Sequence, residues 1–234
     1  MRYQWATASH QGMIRENNED SVFPTSSGES SDSVLIIVAD GMGGHVAGEV
    51  ASRLAINAAA STELDPADRV AAGNRAIREE VAREPSLEGM GTTMTLLDIH
   101  EERATIGHVG DSRAYLLRDG EFRQLTEDHT VAAEYVALGQ LSPEDAASHP
   151  QRHMLTRTLG LTRFVNVDEL ELDLVAGDRL LVCSDGLTEM VDDATLAETL
   201  GTGAPDEVVW KLVELANEAG GVDNITVAVV DATD

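Results

Sequence analysis

Short apolar segments that end in turn residues constrain the fold of this chain more than any other feature. The stretch VLIIVA at 34–39 is followed by Asp-Gly at 40–41, and LLVC at 180–183 is followed closely by Asp-Gly at 185–186. Apolar runs of four to eight residues have the length of buried strands, and Asp-Gly pairs are typical of turns. The segments TTMTLLDIH, RATIGHVG and RAYLLRDGEFRQL predict further strands, with a hairpin at 119–120. Because strands and helices occur in separate blocks, the pattern predicts packed antiparallel sheets with helices outside, an α+β fold.

Helical periodicity occurs in two blocks on either side of most of these strands. Apolar residues recur at helical spacing in the segments 46–61, 65–83, 193–200 and 205–220. Residues 126–154 form a polar insertion with two short helical segments. Long insertions of this kind are often lids or binding loops. We therefore expect one domain over residues 1–234, with a flap-like insertion around 126–154.

The composition is strongly acidic and excludes some classes of partner. The 234 residues carry a formal net charge of -26, and Lys211 is the only lysine. Such a surface repels nucleic acids and anionic membranes, which require clustered basic residues. With no secretory leader and no run of eighteen apolar residues, we expect a cytoplasmic protein. The acid excess fits a high-salt cytoplasm or ordinary compositional drift equally well. Cys183, the only cysteine, lies in a strand pattern that predicts a buried and unreactive thiol.

Acidic residues recur at the ends of the predicted core strands. LIIVADG at 35–41 is matched by LLVCSDG at 180–186, IGHVGDS ends a third strand, and GGVDNITVAVV begins a fourth. One Asp-Gly pair is usually only a turn, but six carboxylates gathered at one end of a sheet sandwich would repel one another without cations. The residues concerned are Glu19, Asp20, Asp40, Asp111, Asp185 and Asp223. Oxygen ligands of this kind suit Mg²⁺, Mn²⁺ or Ca²⁺, and Gly41, Gly43 and Gly44 would let the backbone approach an ion.

Two other uses of these residues are weaker. Calcium storage would use a D-x-[DN]-x-[DN]-G loop, which the chain lacks, and GMGGHVAG matches neither common glycine-rich nucleotide motif. Arg15, in RENNED, supplies a guanidinium that could hold phosphate oxygens in a bidentate fork. Its alternative role is an exposed ion pair with Glu16 or Glu19.

A series of motifs resembles the metal-dependent protein phosphatases of the PP2C type, in their compact bacterial form. The motifs follow the family's order and cover nearly the entire chain: RENNED (15–20), VADGMGGHVAGEVAS (38–52), GMGTTMTLL (89–97), HVGDSRAYLLRDG (108–120), LTEDHT (125–130), LTRTLG (155–160), CSDGLTEM (183–190) and GGVDNITVAVV (220–230). The resemblance implies a four-layer αββα sandwich of two antiparallel sheets flanked by helices.

The resemblance also implies a site with two Mn²⁺ or Mg²⁺ ions. Asp40 would bridge them, and Gly41 would ligate through its carbonyl oxygen. Asp185 and Asp223 would complete the coordination of the first ion. Glu19 and Asp20 would hold metal-bound waters, with Asp20 also a possible direct ligand. Asp111, together with Asp185, would hold a third ion. Arg15 would clamp the phosphate while a hydroxide between the two cations attacks phosphorus.

The chain departs from this family at one position. Animal relatives place a histidine, a proposed general acid, directly after the Asp-Gly pair, whereas this chain has Met42. His45 is a candidate replacement, although a histidine in a glycine turn is at least as often structural. A general acid contributes about 10²–10⁴-fold, so its loss slows turnover without abolishing it. His149 and His153 lie in the flap-like insertion, either in contact with a phosphopeptide or simply solvated.

The expected function is hydrolysis of phosphoserine and phosphothreonine in proteins. The partners implied are phosphoproteins, including a Ser/Thr kinase and its substrates, and we expect a monomer. One alternative is a non-catalytic phosphoprotein-binding module, which the complete set of acidic positions disfavours. Another is an SpoIIE-like phosphatase with one dedicated regulatory partner, which the DGMGGH and NED motifs disfavour.

Overall fold

The computed structural model describes residues 1–43 and 47–234 and contains two large β-sheets. Within the described residues the strands, labelled β1 to β13 in chain order, are Arg2–His10, Ser21–Phe23, Gly28–Ser30, Ser33–Ala39, Gly41–Met42, Gly91–Thr92, Met94–His100, Arg103–Val109, Arg113–Arg118, Glu121–Gln124, Asp168–Asp173, Arg179–Cys183 and Ile225–Thr233. The α-helices of the same residues, labelled α1 to α7, are Ala47–Ala60, Pro66–Arg83, Val131–Ala137, Pro143–Ala147, Asp185–Thr188, Asp193–Leu200 and Pro205–Glu218.

The strands form two facing antiparallel sheets. The six-stranded sheet has the order β10-β9-β12-β13-β1-β3, and the five-stranded sheet has the order β11-β8-β7-β4-β2. The short strands β5 and β6 pair separately. Every described pair of neighbouring strands is antiparallel. The meander from β7 to β10, including its hairpin at 119–120, therefore agrees with the strand pattern of the sequence.

Three apolar clusters separate four layers. One lies between the sheets and includes Tyr3, Ile36 and Val182. A second covers the outer face of the five-stranded sheet with α1 and α2, and a third covers the outer face of the six-stranded sheet with α6 and α7. This confirms the αββα sandwich, because each sheet buries one face against the other sheet and one face against helices. Cys183 is fully buried, and burial raises the pKa of its thiol to about 12.

The strand register brings several strand ends to one edge of the sandwich. In the five-stranded sheet Ser21 pairs with Ala39, and the start of β7 pairs with the end of β8. In the other sheet the end of β12 pairs with the beginning of β13 through Cys183 and Val227. Since antiparallel neighbours run in opposite directions, the residues that precede β2 and β13 meet those that follow β4, β8 and β12.

Local differences from the sequence prediction fall in the first thirty residues. The pattern of residues 3–24 predicts two strands around Gly12, and the structure has β1 and β2 there, separated by a loop over residues 11–20. The loop SSGESSDS contains the short edge strand β3, which pairs with β1. The polar composition of this segment does not predict a strand. An edge strand can nevertheless consist of polar residues, because its outer face lies in solvent. In the described parts of the chain, no helix is long and apolar enough to span a membrane.

Candidate metal centre

Four aspartates from different elements meet at this edge. Asp20 precedes β2, Asp40 follows β4, Asp111 follows β8, and Asp185 opens α5. Asp40 lies close enough to the other three for their charges to raise its pKa, after the larger effect of burial. The sequence prediction that these acids converge is thus met by the structure for all four.

Burial makes this cluster unfavourable for negative charge. Burial, followed by repulsion from Asp185 and Asp223, raises the pKa of Asp20 to about 7. Burial and then the charges of Asp185 and Asp128 raise the pKa of Asp111. The pKa of Asp185 is raised by burial and then by Asp223. A site that raises the pKa of several carboxyl groups together is one that favours a counter-cation.

Two oxygens of the cluster lack a hydrogen-bond partner, and their chemistry indicates whether a cation fits the site. Among the described residues, Oδ1 of Asp20 and Oδ1 of Asp185 are buried without any donor, while Oδ2 of Asp20 accepts a 2.7 Å bond from the Ser184 hydroxyl. Neighbouring ionised carboxylates cannot supply a hydrogen, since both are acceptors. Hard divalent cations bind such oxygens. The donor set therefore fits Mg²⁺ or Mn²⁺.

The backbone of Asp40 is fixed by two threonines of the GTT motif. The Asp40 amide donates a 2.9 Å bond to Oγ1 of Thr93, and Oγ1 of Thr92 donates a 2.7 Å bond to the Asp40 carbonyl. Thr93 also shares a 2.8 Å bond with the Ser112 hydroxyl, beside Asp111. In the sequence these threonines begin the predicted strand TTMTLLDIH, which by itself suggests only core packing. The structure adds a positioning role, which the partners' separation along the chain conceals.

Gly41 is required by crowding. A Cβ atom at this position would overlap the backbone carbonyl oxygens of Gly48 and Glu19. The sequence argument explains the glycine by close approach of the backbone to an ion, whereas the described contacts show close approach of three backbone segments. The tight packing places the loop that carries Glu19 directly beside the end of β4.

Arg15 and Asp223 form an ion pair at the rim of the cluster. Nη2 of Arg15 donates a 2.6 Å bond to Oδ2 of Asp223, and Arg15 is half-exposed. Oδ1 of Asp223 accepts a 2.8 Å bond from the amide of Asn224. The Asn224 side chain in turn accepts from the Glu19 amide at 2.7 Å. Asn224 thus ties the loop of Glu19 to the beginning of β13, a link that the sequence analysis misses. Arg15 pairs with Asp223 rather than with Glu16 or Glu19.

The flap-like insertion reaches the same edge through His153. His153, Asp185 and Glu189 each offer a ligand atom within 4.8 Å of the others, the one such group among the described residues, and His153 contacts Glu189 through Nδ1. Burial and then the charge of Asp185 raise the pKa of Glu189 to about 7. Sequence reasoning missed Glu189, although its spacing of four residues from Asp185 places both on one face of a helical turn.

The other histidines of the sequence prediction lie elsewhere. His149 packs edge-on against Tyr135 within the insertion, with ring centroids 5.8 Å apart, so its described contacts are local. His45 lies outside the described residues. Met42 lies in β5, two residues after Asp40.

A cavity adjoins the acidic cluster beneath the insertion. Its volume is about 890 Å³, and its lining runs from Asp111 and Asp185 to α3 and α4. Arg113, Arg152 and Arg157 also line it. Arg113 pairs with Asp128 and Arg157 with Asp168.

Comparison with known proteins identifies the arrangement. A profile for the family described as "Protein phosphatase 2C" matches residues 14–214. The chain is 44% identical over 247 residues to "Serine/threonine protein phosphatase PstP" of Mycobacterium tuberculosis, covering 99% of this chain and 45% of that protein. It is 39% identical over 236 residues to "Serine/threonine phosphatase stp" of Listeria monocytogenes, covering 94% of this chain and 92% of that protein.

A solved structure shows the same fold. It is described as the catalytic domain of serine threonine protein phosphatase PstP in complex with 2 manganese ions, and it matches with a TM-score of 0.87 and 42% identity. The match covers 100% of this chain and 99% of that one. The chain thus aligns with nearly all of that catalytic-domain structure, and it spans less than half of the full length of PstP.

Proposed function

Since the chain belongs to the protein phosphatase 2C family, we propose that it hydrolyses phosphoserine and phosphothreonine in proteins, opposing a Ser/Thr kinase. The observation that carries the proposal is the pair of buried, unpartnered oxygens on Asp20 and Asp185 beside Asp40. A binding module would have no need for buried carboxylates that destabilise the fold without cations. The two manganese ions of the PstP catalytic domain support the same assignment.

Two Mn²⁺ or Mg²⁺ ions would supply an activated water and neutralise charge on the phosphoryl group. In the proposed site Asp40, Asp185 and Asp223 are ligands, together with the carbonyl of Gly41. Glu19 and Asp20 would hold the surrounding water, and Asp111 with Asp185 would hold a third ion. Thr92 and Thr93 keep the Asp40 backbone in place, so that the carboxylate needs little reorganisation when the site is loaded.

Arg15 is proposed to bind the phosphate of the substrate. A guanidinium has five N–H donors, and the described contact with Asp223 uses only one of its nitrogens. The remaining donors suffice for a bidentate contact to phosphate oxygens. Its half-exposed position at the rim allows access from solvent. The negative net charge of -26 makes this local cation important for a dianionic substrate.

The general acid remains a proposal without a described contact. Met42 cannot donate a proton, and His45 lies outside the described residues. We propose His45 for this role on the sequence argument alone. We also propose that the protein acts in the cytoplasm as a monomer on a Ser/Thr kinase and its phosphorylated substrates.

Release of inorganic phosphate from phosphoserine and phosphothreonine peptides tests the proposed activity. We expect turnover by the wild-type protein with Mn²⁺ and none by Asp40→Asn. Asp173→Asn is the control, because Asp173 is an exposed aspartate on β11. Fluorescence anisotropy of the labelled peptide is measured in parallel. A wild-type protein that binds the phosphopeptide in Mn²⁺ and Mg²⁺ without releasing phosphate would instead be a binding module. Inactivity on all peptides, with activity on one protein partner, would favour the SpoIIE-like alternative.

A further inference from the structure

His129 lies at the base of the flap-like insertion and contacts the residue before Asp111. Its Nδ1 accepts a 3.0 Å hydrogen bond from the Gly110 amide, and its own amide donates a 2.8 Å bond to the Gly110 carbonyl. Both backbone polar groups of Gly110 are therefore bonded to one residue. This double contact fixes the peptide that leads into Asp111.

Gly110 has little freedom to move away from this position. Its φ angle is +116°, in the region that favours glycine, and a Cβ atom there would lie 2.5 Å from Cβ of Thr93. Thr93 is the residue whose hydroxyl accepts from the Asp40 amide. Gly110 is thus held between His129 on one side and the support of Asp40 on the other.

The remaining contacts of His129 determine which nitrogen carries its proton. Nε2 lies 3.1 Å from Oδ2 of Asp168, a carboxylate that can only accept when ionised. Burial lowers the pKa of His129, with Asp168 acting in the opposite direction. The ring is therefore neutral with its proton on Nε2, which leaves Nδ1 as the acceptor for Gly110. With the proton on Nδ1 instead, the Nδ1–H group would face the N–H group of Gly110, and neither could accept.

The same residue connects the insertion to the core. The His129 carbonyl accepts a 2.8 Å bond from the Thr156 amide, at the far end of the insertion. Asp168 also pairs with Arg157, and the His129 ring packs on His108 with centroids 4.7 Å apart. The imidazole is buried, with 3% of its side chain exposed, and it lies at the wall of the cavity beside Asp111.

We propose that His129 is a positioning residue for Asp111, and that its Nδ1 contact with Gly110 sets the affinity of the cation held by Asp111. The inference rests on the metal site of the proposed function. Residues that orient metal ligands typically change metal affinity about 10–100-fold when they are replaced. Because His129 acts through a backbone amide, we expect an effect near the lower end, about tenfold.

Two substitutions of His129 by amide residues test the roles of its two ring nitrogens separately. In His129→Asn the amide oxygen takes the place of Nδ1 and can still accept from Gly110, but the contact with Asp168 is lost. In His129→Gln the amide nitrogen takes the place of Nε2 and can still donate to Asp168, but Gly110 loses its acceptor. Calorimetric titration of the metal-stripped full chain with Mn²⁺ measures each class of site directly. We expect His129→Gln to weaken about tenfold the Mn²⁺ site that Asp111→Asn removes, with the other sites unchanged, and His129→Asn to resemble the wild type.

A double-mutant cycle with Asp111→Asn tests the route of the effect. If His129 acts through Asp111, Asp111→Asn alone removes one Mn²⁺ site, and adding His129→Gln changes the remaining Mn²⁺ affinities no further. Equal weakening by His129→Asn and His129→Gln would overturn the proposal. Unchanged Mn²⁺ binding with only a lower melting temperature would also overturn it, since that result indicates a purely structural residue.

One measurement on the wild-type protein does not depend on whether any variant folds. Imidazole ¹⁵N spectra should show His129 with a protonated Nε2 and a bare Nδ1, in the metal-free and the Mg²⁺-loaded protein. A proton on Nδ1 would overturn the proposal. Failure of the proposed function can be distinguished from failure of this inference. Wild-type protein that binds no Mn²⁺ refutes both the proposed metal site and the role of His129. Normal Mn²⁺ binding with indistinguishable His129→Asn and His129→Gln variants refutes only the role of His129.

Discussion

The metal-free protein should lose stability as pH rises, and Asp20 allows the size of this effect to be calculated. Burial raises the pKa of Asp20 to about 7 in the folded protein, against 3.8 for an ordinary aspartate. Between these values the folded state holds a proton that the unfolded chain has released. The free energy of unfolding must then fall as pH increases from about 4 to 7. At roughly 1.36 kcal/mol per pKa unit, Asp20 alone accounts for about 4 kcal/mol.

This contribution is large compared with the free energy of unfolding of a typical domain, which is about 5–15 kcal/mol. Asp40, Asp111 and Asp185 also have raised pKa values, mainly through burial, and they add to the fall in the wild-type protein. The comparison between wild type and Asp20→Asn isolates the part that belongs to Asp20. Asparagine keeps the shape of the side chain and an oxygen that can accept from Ser184, while it removes the titrating group.

Urea unfolding in EDTA at several pH values between 5 and 8 provides the assay. We expect the wild type to lose stability over this range and Asp20→Asn to lose less, by up to about 3 kcal/mol, because the assay covers about two of the three pKa units. Asp173→Asn, at an exposed position, should follow the wild type. Saturating Mn²⁺ should abolish the fall, because bound cations keep the folded carboxylates ionised. Equal pH dependence of wild type and Asp20→Asn in EDTA would refute the argument from burial.

Four further outcomes are expected. Chelation of divalent ions should remove phosphatase activity and lower the melting temperature, since a ligand at a hundred times its Kd adds about 2.7 kcal/mol; full activity in EDTA contradicts the proposed site. Arg15→Ala should raise KM for phosphopeptides more than it lowers kcat, with Arg2→Ala, at an exposed arginine that begins β1, as control; a fall in kcat alone argues against a phosphate clamp. Thr93→Val should weaken Mn²⁺ binding about 10–100-fold by calorimetry, because the Asp40 amide loses its acceptor; unchanged affinity would return Thr93 to a packing role. Cys183 should resist thiol reagents in the native protein and react after unfolding, because burial raises its pKa to about 12; rapid native labelling would contradict this.

The layered fold and the positions of the candidate ligands could be predicted from local sequence patterns. Strand and helix periodicity depends on nearby residues, so the blocks of short apolar segments and amphipathic helices indicate antiparallel sheets between helical layers. The position of Asp40 directly after one core strand and of Asp185 directly after another is also local information. These two strands, β4 and β12, lie in different sheets, so their ends share an edge only because the two sheets pack face to face. Family membership is likewise readable from motifs that extend along most of the chain.

The supports of the site depend on contacts between distant parts of the chain. Ser184 bonds to Asp20 across 164 residues of sequence, and Thr93 bonds to Asp40 across 53. No periodic pattern relates such pairs, because their approach follows from how two sheets pack. For the same reason the sequence could assign neither Glu189 to the neighbourhood of His153 nor His129 to Gly110. The sequence thus determined that the acids lie next to the ends of strands. The packing of the sheets determined which of their oxygens are buried without a hydrogen-bond donor and are therefore available to a cation.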